Sequence, residues 1–160
     1  MGLDKKRSLG YVKVMLEILE HLISQEAQHP QQFRKALYRE LLSSEVYLLT
    51  LGEPIEDGLS TLRKSTDFLL WAEQKAPGEF RVPVFPSSDS VASFISSHHL
   101  KAPAGKEFLW MSQNPQKALA PLLELNGFLG LNLYLAENES VAVSQEETKL
   151  LAKGIIPCNA

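Results

Sequence analysis

The sequence predicts an α+β fold (mixed α/β): a small mixed or antiparallel sheet with helices packed on it, preceded by an N-terminal helical pair. Three observations carry that expectation. Residues 9–43 repeat apolar side chains at helical steps. Residues 44–154 mix short β-like runs with short helical ones, with a hairpin near each end. The strand and helix runs do not alternate regularly, as a doubly wound nucleotide-binding fold requires.

Val12, Met15, Leu16, Leu19, Leu22 and Ile23 mark one face of the first helix. Val14 and Ile18 widen that stripe, so this helix is expected to be covered on a second side, by the domain or by a second copy. Pro30 suits the first turn of a second helix, where its missing N–H is harmless. Phe33, Ala36, Leu37 and Leu41 form that helix's face.

Val46 to Leu51 is apolar and β-prone, and Gly52 and Pro54 stop it, so it reads as a buried strand. A polar excursion with an Asp57-Gly58 turn follows. "TDFLLWAEQ" and "EFRVPVF" are the next strands, joined by a "KAPG" hairpin turn. Pro83 cannot donate to a ladder, so its strand is expected at an edge or bulged there. Ser87 or Ser88 caps the next helix, Asp89 suits its first turn, and Val91, Phe94 and Ile95 face the core.

"KEFLWMS" is a fourth strand. Asn114 caps and Pro115 starts another helix, which Asn126-Gly127 stops. Pro121 inside a helix costs about 3 kcal/mol, so this segment is expected to kink or to begin near Pro121. Leu129, Leu131, Leu133 and Leu135 alternate with Gly130, Asn132 and Tyr134, the period of a strand with one buried face. A turn at "AENES" leads to a last strand. Ser144 and Glu147 then form a capping box for a helix that Gly154 ends.

The 160 residues suit one domain, with 155–160 as a tail. Hydrophobic residues make up 44% and charged residues 22%, an ordinary globular balance. The net charge of -3 offers no basic excess for a phosphate backbone, so no nucleic-acid partner is expected. No apolar run reaches about 18 residues, so no membrane partner is expected either. The lone Cys158 can form no internal disulfide, which suits a reducing cytoplasm.

From Val46 onward the chain resembles the amino-terminal domain of the SseB (enhanced serine sensitivity) family. The resemblance rests on Val46-Tyr47, "DFLLWAE" to "FRVPVF", "PVFPSSDSVASF", "KEFLWMS", "APLLELN", "GFLGLNLYL", "SVAV" and "SQEETKLL", in that order. The leading "LYRELLSSEVYLL" is similar to the family's opening. The chain departs from the family at Ala136-Glu137-Asn138, where Asn-Pro-Gly is frequent, and its 160 residues are expected to hold the first domain alone, where some members carry a second. The resemblance implies a fold and a protein-interaction role; it transfers no reaction and no catalytic residues.

The residues themselves show no phosphate loop, H-E-x-x-H, C-x-x-C or G-x-S-x-G motif. Neighbours such as His98-His99 point about 100° apart on a helix and chelate poorly, so no metal and no cofactor is expected. Glu53, Glu56 and Asp57 read as a solvated loop. Ser87-Ser88-Asp89-Ser90 offers the N–H groups and hydroxyls of an anion site. It lacks glycine and a cation, and Asp89 repels anions, so capping is the expected role. Trp71 and Trp110 are expected in the core, although an aromatic on an outer strand face can anchor a partner. The expected function is a cytoplasmic interaction or adaptor domain that binds another protein or itself. Val14, Ile18, Pro83, Ser87 and Ser88 are its candidate contacts. The alternative is a small-ligand binder or enzyme with a site near Ser87–Ser90.

Overall fold

The computed structural model describes residues 18–52, 69–70 and 73–157. The described elements are α1 (18–28), α2 (Arg34–Leu42), β1 (Val46–Gly52), β2 (Leu69–Leu70), β3 (Glu73–Ala76) and β4 (Glu79–Phe85). They continue with α3 (Ser88–Ser97), β5 (Glu107–Gln113), α4 (Pro115–Leu122), β6 (Phe128–Ala136), β7 (Glu139–Ser144) and α5 (Gln145–Ala152). This is the α+β class expected, with two helices ahead of the sheet.

The strands form one seven-stranded mixed sheet. β5, β1, β4, β6 and β7 lie side by side. β2 takes the part of β1's edge that β4 leaves, and β3 takes the part of β4's edge that β1 leaves. Among the described strands only β4 and β6 pair in parallel, and α3, β5 and α4 supply the long crossover that such a pair needs.

Helices cover both faces. On one face Val46, Leu48, Val82, Val84, Leu131, Leu133, Val141 and Val143 meet α1, α2, α4 and α5 through Leu19, Ile23, Leu37, Tyr38, Leu41, Leu119, Leu122 and Leu151. On the other face, among the described residues, α3 is the one helix that packs: Val91 and Phe94 close over Leu49, Phe85 and Tyr134. Phe94 makes edge-on ring contacts with Phe85 at 5.2 Å and Tyr134 at 4.8 Å. Aromatic pairs in such geometry add about 0.5–1.5 kcal/mol each beyond the area they bury.

β6 is therefore not a one-faced strand. Its register against β4 advances one position on β4 and two on β6, which shifts the alternation. Phe128 joins Leu131 and Leu133 in the larger core, Leu129 and Leu135 are half-buried, and Tyr134 is buried under α3. Gly130 sits at this bulge with φ +145°, and a β-carbon there would collide with the Val143 carbonyl oxygen. Only glycine fits.

Three proline expectations change. Pro30 lies in the turn between α1 and α2, and the second helix starts at Arg34, after Phe33. Its buried face is Leu37, Tyr38 and Leu41, whereas Ala36 is exposed. α4 starts at Pro115, capped by Asn114, and Pro121 stands in its last turn, where it forfeits one backward N–H bond and the helix ends one residue later, at Leu122.

Pro83 is neither on an edge strand nor at a bulge of its own strand. The Phe80 N–H donates to the Gly127 carbonyl on the β6 side at 2.9 Å. β4 runs without an inserted residue, so its backbone groups alternate regularly between the two edges. Arg81, Pro83 and Phe85 thus turn toward β3 and β1. Arg81 pairs with Glu73, and the pairing with β1 resumes at Val84 opposite Leu48. The missing N–H of Pro83 faces the gap where β4 exchanges one partner for the other, so no ladder bond is lost.

Candidate interaction surface

The two outer strands of the sheet are treated differently. β7 is bridged at two points by the helices before β1. Arg34 Nη1 donates to the Ala142 carbonyl at 3.1 Å, and Ser24 Oγ donates to Glu139 Oε1 at 3.1 Å. Among the described residues β5 pairs with β1 alone.

The alternation that places Pro83 also orients β5. Phe85 faces Tyr47 across the β4–β1 pair, so Tyr47 directs its backbone groups to β4, and Leu48 and Thr50 direct theirs to β5. Their opposite numbers, Met111 and Leu109, bond to β1. The N–H and C=O groups of Phe108, Trp110 and Ser112 point along the outer edge. β5 keeps an unbroken seven-residue register with β1 and holds no proline, glycine, lysine or bulge, the usual protections of an edge.

An aromatic platform flanks that edge. Trp110 is 42% exposed, and its ring leans on Tyr47 with centroids 5.4 Å apart. Leu49, paired with Trp110, is buried under α3, while Trp110 projects from the same face beyond the helix's cover. Burial, then the nearby Glu45 charge, raises the Tyr47 phenol, so the platform is neutral.

A buried polar clasp joins the other end of the molecule. Glu26 is buried and accepts from the N–H groups of Gln31 at 2.9 Å and Phe33 at 3.0 Å, and from Arg34 Nε at 2.8 Å. Arg34 Nη1 donates to Tyr38 Oη at 3.1 Å, and Tyr38 donates to Glu147 Oε2 at 2.5 Å. Glu147 Oε1 completes the capping box with the Ser144 N–H. Burial pushes both carboxyls up, but the hydrogen bonds and the Arg34 charge outweigh it and hold both below the carboxylate norm. Burial, then the Glu147 acceptor, holds the Tyr38 phenol well above its ordinary value. The clasp is fully paired and closed by its own partners, so it ties α1, α2, β7 and α5 together and leaves no group aimed at a ligand.

The described residues among those singled out from the sequence do not form one surface. Ile18 is 45% exposed on α1, and Val14 lies outside the described residues. Pro83 is buried in the middle of the sheet. Ser87 caps α3 by accepting from the Ser90 N–H at 3.2 Å, and its hydroxyl also meets that of Ser90 at 3.0 Å. Ser88 is the half-buried first residue of α3. The strand-to-helix turn is thus internally satisfied. Among the described residues no group of three or more His, Cys, Asp or Glu is placed to hold a metal ion, and no helix is long and apolar enough to cross a membrane. The exposed Trp110 had a sequence signal, an aromatic on a strand, but nothing local marked that strand as the outer one. The chain matches no protein-family model, no curated protein and no solved structure.

Proposed function

We propose that this chain is a protein-interaction domain that receives an extended segment of a partner along the outer edge of β5, beside Trp110 and Tyr47. The observation that supports it is the contrast between the two sheet edges among the described residues: β7 is bridged by Arg34 and Ser24 of the helices before β1, and β5 presents Phe108, Trp110 and Ser112 with no strand beside them. An edge of that kind adds a strand readily, because backbone bonds supply affinity and alternate side chains supply selectivity. The resemblance to the SseB amino-terminal domain points the same way, toward an interaction role in the cytoplasm without catalysis.

The test is a photo-reactive residue placed at Ser112, with a second at the exposed Lys117 of α4 as reference. Irradiation in the native host is expected to yield a covalent adduct with a protein at Ser112 and none at Lys117. Equal yields at both positions, or none at Ser112, would overturn the reading.

A further inference from the structure

We infer that the partner of the β5 edge is a second copy of this chain, the two β5 strands pairing antiparallel about a two-fold axis through Trp110. The inference rests on the β5 edge being the interaction surface and adds the identity of its occupant.

The strand is complementary to itself in that register. Trp110 meets Trp110, Phe108 meets Ser112, Leu109 meets Met111, and Glu107 meets Gln113. Lys106 falls opposite Asn114. No like charges face one another, and each Glu107 carboxylate finds an amide donor across the axis. Apolar residues oppose apolar ones on the face that carries Leu109 and Met111.

The backbone is matched as well. Phe108, Trp110 and Ser112 carry the outward N–H and C=O groups, so an axis at Trp110 makes all three positions hydrogen-bonded pairs, with about six bonds in all. A one-residue slip would aim inward-bonded groups at the partner and send Trp110 to opposite faces of the joined sheet. The axis at Trp110 also engages more of the strand than an axis at Phe108 or Ser112. On the face that α3 leaves open, the two tryptophans join the two Tyr47 rings in one aromatic row.

Mass in solution against concentration, with two edge variants, tests this. Trp110→Lys sets like charges against each other on the axis. Ser112→Pro removes an N–H that faces only the partner, and proline is tolerated on an edge strand. The wild type is expected to reach twice the chain mass, and each variant to weaken that association about tenfold or more while far-UV circular dichroism stays unchanged. The adduct at Ser112 is then expected to map to β5 of a second copy. A wild type that stays at single-chain mass while Ser112 captures a different protein overturns the self-pairing and leaves the edge as the interaction surface. A dimer that both variants leave intact overturns the self-pairing too. No adduct and no dimer overturn both.

Discussion

Replacing Glu26 with alanine should destabilise the chain more than any exposed charge deletion. Its carboxylate accepts from two backbone amides, those of Gln31 and Phe33, and is the nearest anion to Arg34. Orphaned buried donors cost about 1–3 kcal/mol each, and breaking a buried ion pair costs about 3–5 kcal/mol. Arg34 retains Tyr38, the Ala142 carbonyl and Glu147 at 3.5 Å, and its side chain is 18% exposed, so partial rehydration lowers the sum. The expected loss for Glu26→Ala is about 3–4 kcal/mol. With a urea slope of about 2–3 kcal/mol per molar, the midpoint should fall by about 1–2 M at unchanged slope. Glu26→Gln, which keeps an acceptor and loses the charge, should cost about half as much. A midpoint shift under about 0.5 M for Glu26→Ala would refute the view that this carboxylate holds the α1–α2 turn.

The same clasp sets the acid limit. Glu26 and Glu147 are held below the ordinary value of 4.5, so their contribution is complete above that pH and is lost as pH falls through the lower folded values. Urea midpoints measured from pH 7 to 3 should therefore fall below 4.5, and less steeply in Glu26→Gln. Tyr38 acts with the opposite sign: its raised phenol loses its contribution as pH climbs above 10.0, and Tyr38→Phe should lessen the alkaline decline. Gly130→Ala should cost about 2–3 kcal/mol in the same assay, because φ +145° is closed to other residues and the β-carbon strikes the Val143 carbonyl. Ser144→Ala, which removes the hydroxyl that caps α5, should cost about 1 kcal/mol, and a result within error of zero would remove the capping box from the account.

What could be read in advance was whatever neighbouring residues decide. β1, β4 and β5 follow their apolar and aromatic runs to within a residue or so, because glycine, proline or a polar turn closes each run. The caps at Ser87, Asn114 and Ser144 were legible for the same reason: cap and acceptor lie two or three positions apart. Pro83 misled because the rule that sends proline to edges assumes continuous neighbours. Here one strand hands β4 over to another at that residue, which only the tertiary arrangement reveals. The clasp was invisible because Tyr38 and Glu147 are 109 residues apart, and the sequence marked Glu147 only as a capping residue. Trp110 was legible as a strand aromatic, but its exposure depends on β5 being outermost and on α3 stopping short of it.

Amide exchange along β5 tests the central claim most directly. Glu107, Leu109, Met111 and Gln113 bond inward to β1, and Phe108, Trp110 and Ser112 point outward. The amides of Leu109 and Met111 should be protected at every protein concentration. Those of Phe108, Trp110 and Ser112 should exchange freely in dilute solution and become protected as concentration rises. Outward amides that exchange freely at all concentrations and with every partner, or that are protected even at the highest dilution by the chain's own residues, would contradict the assignment of this edge as the interaction surface.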